Sequence, residues 1–169
     1  VYNLRDVKVV QHQMNAAGTE LYVLLHNGAH YTELYCIGKR GPELVASHVG
    51  RMKLSLDGSA LYYTAYDYEL GKVWMWGYAP ESGEHWQILD VATPGMNATV
   101  TQKGGWPALY DDNGNESPDF AVSPSGEYVL FSSSHGLIMH QRTEYLTMHR
   151  GFSQLPVAVG NNGRMAVWY

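Results

Sequence analysis

Residues 54–65 read Leu-Ser-Leu-Asp-Gly-Ser-Ala-Leu-Tyr-Tyr-Thr-Ala, and residues 120–133 read Phe-Ala-Val-Ser-Pro-Ser-Gly-Glu-Tyr-Val-Leu-Phe-Ser-Ser. Each stretch is a strand, a tight polar turn and a second strand. The turn carries a glycine, the residue that accepts the positive φ such hairpins demand. The strand after it is apolar at consecutive positions, so both of its faces need cover. A single-layer sheet cannot supply that cover.

The same unit recurs along the chain. Gly18, Gly58, Gly126 and Gly163 share one local setting, and an apolar run follows each: TELYVLL, SALYYTA, EYVLFSS and RMAVWY. Four residues before these glycines stand Met14, Leu54, Val122 and Val159, all apolar. Three before stand Asn15, Ser55, Ser123 and Gly160, all small. Gly18 and Gly58 are 40 residues apart, and Gly126 and Gly163 are 37 apart. A four-stranded propeller blade repeats at about 40–45 residues.

Two further strands fit between successive marks. In the second unit they are 72–80 and 85–91, in the first 32–38 and 43–49, and in the third 137–142 and 144–150. No segment has a helical 3.6-residue period with caps. The spacing therefore predicts an all-β chain: about three and a half four-stranded antiparallel blades of a β-propeller, in which stacking covers both faces of every sheet. The expected blades are 7–49, 51–91, 118–150 and an incomplete 154–169. Gly58 and Gly126 are 68 residues apart, and the surplus falls in 92–117, a Gly-, Asn-, Thr- and Asp-rich insertion between blades. Long excursions of this kind are often functional.

Ser123-Pro124-Ser125-Gly126 and Ser55-Leu56-Asp57-Gly58 each keep part of a Ser-Pro-Asp-Gly turn followed by a Tyr/Val/Phe/Ser strand. In this the chain resembles TolB-like propellers and the propeller domains of prolyl-oligopeptidase relatives. Gly71–Gly77 (GKVWMWG) also resembles the third strand of a WD repeat, but no Gly-His start or Trp-Asp end recurs. The resemblance implies a fold and no activity. Closed rings have typically 4–8 blades, so three and a half units are expected to need remaining blades, in the same chain or another. An apolar edge at Trp168 and Tyr169 would otherwise lie open.

Composition narrows the partners. Of 169 residues 45% are apolar and 16% charged, and the net charge is −5 with no Lys/Arg cluster. Nucleic acid and anionic membrane are poor partners for such a surface. No apolar stretch approaches the roughly 20 residues of a membrane-spanning helix. The start, Val1-Tyr2-Asn3-Leu4-Arg5-Asp6, lacks a signal-peptide layout and reads as a mature or internal beginning. Cys36 is the only cysteine and, in the apolar context Leu34-Tyr35-Cys36-Ile37, reads as a small core residue.

Candidate sites stand beside plainer readings. Asn97-Ala98-Thr99 and Asn115-Glu116-Ser117 fit the glycosylation acceptor pattern and favour an extracellular or periplasmic setting, although Pro118 makes Asn115 the poorer acceptor. Asp111, Asp112, Asn113, Asn115 and Glu116 offer oxygen ligands for Ca²⁺, but the stretch departs from the EF-hand loop and a solvated acidic turn is preferred. Eight histidines are scattered. His26 and His30 flank a turn, which denies them helical zinc geometry, and His26 and His135 fall on equivalent hairpins that share a rim. Trp74 and Trp76, two apart on a strand, face one side. They offer a platform for sugar, with Trp106 as a third aromatic candidate, or they pack against the next blade.

No cofactor site and no catalytic constellation are legible. Gly151-Phe152-Ser153-Gln154-Leu155 fails as a nucleophile elbow at its last position. Three functions remain open: a non-catalytic module for binding protein partners, a gating propeller of a serine hydrolase whose catalytic domain is absent, and a carbohydrate-binding or carbohydrate-cleaving propeller.

Overall fold

A computed structural model describes residues 7–26, 32–67, 69, 72–88, 99–103, 106–110, 120–133, 136–142, 146–149, 156–160 and 165–167. Every regular element among them is a β-strand. The first sheet is β1 (Lys8–Met14), β2 (Leu21–His26), β3 (Thr32–Gly38) and β4 (Gly41–Ser47). The second is β5 (Val49–Leu54), β6 (Leu61–Asp67), β7 (Lys72–Ala79) and β8 (Glu84–Ile88). Within the insertion a two-stranded sheet pairs β9 (Thr99–Lys103) with β10 (Trp106–Tyr110). The third four-stranded sheet is β11 (Phe120–Val122), β12 (Tyr128–Ser133), β13 (Gly136–Gln141) and β14 (Leu146–His149), and β15 (Pro156–Val159) pairs with β16 (Met165–Val167). Each sheet runs in simple meander order with antiparallel neighbours. This is the all-β partial propeller expected from the repeat.

The turns explain the repeat residue by residue. Gly18, Gly58 and Gly126 have φ of 67°, 77° and 68°. Their amides donate to the carbonyls of Asn15, Ser55 and Ser123 at 3.0, 3.0 and 2.9 Å. The small residue three before the glycine has a second task. Ser55 Oγ accepts from the Ala60 amide at 3.0 Å, Ser123 Oγ from Tyr128 at 2.9 Å, and Asn15 Oδ1 from Glu20 at 3.2 Å. A bulky apolar residue there would leave that amide without a partner. Gly163 lies outside the described residues.

Packing then covers both faces of the central strand. Leu61 and Tyr63 of β6 join Tyr22, Leu24, Leu34, Met52 and Leu54 in one core between the first and second sheets. Tyr62, one residue on, joins Met75, Ile88, Phe120 and Val129 in another between the second and third. All of these are at most 5% exposed. Full burial of each large apolar side chain contributes roughly 1.5–3 kcal/mol, so the second sheet is anchored through both of its faces.

Blade-to-blade joints are polar at the innermost strands, where β1, β5, β11 and β15 lie side by side. Gln13 donates from Nε2 to the Leu54 carbonyl at 3.1 Å and accepts the Leu54 amide at 2.9 Å. Gln11 does the same to Met52, at 2.7 and 3.1 Å. Two side-chain amides on β1 thus pair with β5 as a neighbouring strand would. The turns also stack. Asp57 N donates to the Pro124 carbonyl at 3.0 Å, Ser59 Oγ to Ser125 at 2.8 Å, and the Tyr62 hydroxyl to Gly126 at 2.8 Å.

Candidate functional site

Where the first two sheets diverge, at the end opposite the glycine turns, they leave an open cleft of about 550 Å³. Its floor is the face of the second sheet turned toward the first. Pairing sets Trp76 between Tyr63 and Gln87, and Trp74 opposite Ala65. Its wall is the crossing from β4 to β5, with Ala46, Ser47 and His48, and its rim carries Tyr66, Asp67 and Glu69. The two indoles are not equivalent: Trp76 packs against the core between the sheets, whereas Trp74 is half-buried and lines the cleft outside that cluster.

His48 holds wall to floor. It has φ of 59°, the one non-glycine residue with positive φ among the described residues, and its carbonyl accepts the Tyr66 amide at 2.9 Å. A non-glycine residue in the left-handed region costs about 1–2 kcal/mol and marks a position fixed by its surroundings. Asp67 Oδ1 accepts the Glu69 amide at 2.9 Å, which shapes the acidic rim.

Further along the same floor, the Tyr63 hydroxyl and His85 Nδ1 share a hydrogen bond of 3.1 Å, and the Tyr78 and His85 rings lie 4.7 Å apart. Burial pushes the Tyr63 hydroxyl up to about 12 and pushes the His85 imidazole below its ordinary value, so both are neutral near pH 7. Burial likewise lowers His140 and raises the Cys36 thiol. Cys36 packs half-buried against the first core, and its raised pKa removes thiolate character.

A second surface lies on the opposite face of the first sheet. By register Met14, Leu21 and Ile37 share a row, as do Val23, Tyr35 and Leu44, with Val9 on the same face. Val23 and Tyr35 at its centre are buried, but Val9, Met14, Ile37 and Leu44 are 55, 55, 39 and 54% exposed. Leu54, which holds in the second sheet the place Met14 holds in the first, is 5% exposed.

Among the sequence candidates, the structure brings Trp74 and Trp76 together. Trp106 opens β10, in a separate two-stranded sheet, so its strand is no part of the cleft's sheet. Asn97, Asp111, Asp112, Asn113, Asn115 and Glu116 lie outside the described residues, as do His30 and His135. No three His, Cys, Asp or Glu side chains among the described residues group as metal ligands. No helix among them is long and apolar enough to cross a membrane. Sequence reading missed the Gln11/Gln13 clamp and the pivot at His48. A same-face pair of amides on a first strand was the available signal for the clamp; His48 gave none.

No family model matches the sequence, and no curated protein matches it. Solved structures do. The β-propeller domain of the Trilobed protease from Pyrococcus furiosus superposes with a TM-score of 0.60 at 8% identity, over 90% of this chain and 46% of that one. A prolyl endopeptidase gives 0.56 at 11% identity, over 96% and 26%. An oligogalacturonate lyase in complex with manganese gives 0.51 at 14%, over 80% and 35%. The chain spans less than half the length of each. At these identities the likeness speaks to fold alone, and with the three stacked meanders above it makes this chain a partial β-propeller resembling those of prolyl-oligopeptidase-type proteins.

Proposed function

We propose that this chain is a non-catalytic propeller module for binding and assembly, acting through blade faces, edges and inter-blade loops. The observation that carries the reading is the exposed apolar margin of the first sheet at Val9, Met14, Ile37 and Leu44. The equivalent face of the second sheet is covered by a blade. A further blade of the same ring is the partner that fits, since it would repeat a joint the chain already makes twice. The backbone of His12 and Met14 would then meet that blade as Met52 and Leu54 meet Gln11 and Gln13. We place the module outside the cytoplasm, on the strength of the acceptor patterns at Asn97 and Asn115.

Peroxide oxidation of the protein made from its complete reading frame, read peptide by peptide, tests this. With the face covered, Met14 oxidises as slowly as the fully buried Met52 at every protein concentration. Oxidation of Met14 tenfold or more faster than Met52 would refute the reading, and protection lost on dilution would assign the face to a second copy instead.

The likeness to the protease propeller and to prolyl endopeptidase supports a second reading, a propeller that gates a serine hydrolase. A nucleophile elbow encoded downstream would favour it over the first.

A further inference from the structure

We infer that a cavity at the glycine-turn end of the first blade binds a small α-amino acid as its zwitterion, with Glu20 and Glu43 on the ammonium and Arg40 on the carboxylate. The assembly reading concerns the other face of the first sheet and is independent of this site. Register builds the cavity. Tyr22, Cys36 and Glu43 lie side by side across β2, β3 and β4, so they share the face turned toward the second sheet. Glu20, two residues before Tyr22, continues on that face. Gly38 pairs with Gly41 beside it, and an added Cβ on Gly41 would meet nothing within 4 Å. The absent side chains leave a cavity of about 280 Å³ between the two turns.

Its parts differ in depth. Cys36 and Glu20 are half-buried, whereas Lys39, Arg40 and Glu43 are exposed at the rim. The buried Tyr22 hydroxyl donates to Glu20 Oε2 at 3.0 Å, and Asn15 Nδ2 reaches the same oxygen at 3.4 Å. Glu20 Oε1 has no hydrogen bond among the described residues. Arg40 Nε lies 3.3 Å from Glu43 Oε1, and these two side chains are 87 and 54% exposed. An ion pair that exposed contributes little to the fold and can rearrange around a ligand. Burial is the largest cause of the raised pKa of both Cys36 and Tyr78, and both groups also feel Glu20, Glu43 and Arg40. Three charges therefore converge on one spot, above a thiol that burial keeps neutral.

Charge and size select the ligand. The carboxylates of Glu20 and Glu43 are matched by the cations of Lys39 and Arg40, so the lining carries both signs. An ammonium brings three donors to carboxylate oxygens. A guanidinium engaged through Nε keeps its terminal nitrogens for a ligand carboxylate, and such charge-assisted bonds are the strong ones. A lone amine would meet Arg40 and Lys39 as like charges, and a lone acid would meet Glu20 and Glu43. A volume just under the range of drug-sized ligands suits a single amino acid.

The backbone amide resonances of Gly38 and Gly41, in labelled whole protein titrated with glycine, alanine, serine, glutamate and lysine, test the assignment. Ethylamine and acetate serve as single-charge controls. At least one amino acid is expected to shift both resonances with a Kd below about 10 mM, the weak end of recognition. Glu43→Gln and Arg40→Ala change exposed side chains and should keep the circular dichroism and the thermal midpoint. Each should weaken binding tenfold or more, as should Glu20→Gln, which keeps an acceptor for the Tyr22 hydroxyl. No shift with any of the amino acids, shifts as large with ethylamine or acetate, or a Kd unchanged in all three variants would each overturn the site.

Discussion

Replacing Gly126 with alanine is expected to destabilise the protein by about 3 kcal/mol, the sum of a backbone and a packing penalty. Its φ of 68° lies in the left-handed region, where a Cβ alone costs about 1–2 kcal/mol. An added Cβ would also stand 2.7 Å from Ala60 Cβ, 3.0 Å from Ser59 Oγ and 3.1 Å from Ser55 Cβ. Those atoms belong to the turn of the preceding blade, and the Gly126 carbonyl accepts the buried Tyr62 hydroxyl, so neither turn can retreat without loosening the joint. Gly41 is the control. It has φ of 96° and no atom within 4 Å of an added Cβ, so Gly41→Ala should cost only the backbone part, about 1–2 kcal/mol. Urea unfolding of the two variants measures the difference, and equal costs would mean that the turns of the second and third blades do not touch.

Gly77→Ala is the second large effect, also about 3 kcal/mol, and here the cause is steric alone. Gly77 pairs with Trp86 across β7 and β8. A Cβ on it would fall 2.0–2.5 Å from three atoms of the indole. The ring would have to leave a place where it meets Tyr62 edge-on at 5.8 Å and carries the Arg142 guanidinium 5.1 Å above its face. Arg142 in turn donates to the Ser59 carbonyl at 3.3 Å, so displacing Trp86 also disturbs a link between the second and third blades. In a double-mutant cycle the second substitution should add almost nothing once Trp86→Ala has removed the ring. Additive losses would show that the indole does not lie on Gly77.

These glycines mark what could and could not be read in advance. Gly58 and Gly126 were legible, because a turn glycine followed by a strand apolar on both faces has few structural solutions. Stacked blades are the one that covers every face. Gly77 was opaque: an isolated glycine within GKVWMWG tells nothing of the indole that occupies its missing side chain until β8 is paired to β7. The insertion was legible only as a long excursion between blades: its turn-forming composition gave no sign that Thr99–Lys103 and Trp106–Tyr110 pair as antiparallel strands. Short alternating runs are easily hidden among turn residues.

The candidate cleft was legible only as a pair of same-face tryptophans. Which of them packs against the core between the first two sheets depends on the first blade: Trp76 does, and Trp74 lies outside that cluster. Periodicity places residues on a face but cannot say where along a strand the cover ends. The same limit hid the exposed margin at Met14, whose counterpart Leu54 holds the same place in the repeat and is buried.

Face-to-face stacking of neighbouring sheets is the claim on which the cleft, the joints and the Gly126 effect depend, and the side-chain amides of Gln11 and Gln13 report on it most directly. In a nuclear Overhauser spectrum of labelled protein, the Gln13 side-chain NH₂ should show a cross-peak to the backbone amide of Leu54, and that of Gln11 to Met52, with both backbone amides slow to exchange. Absent cross-peaks together with fast exchange at Met52 and Leu54 would mean that the first sheet does not lie against the second.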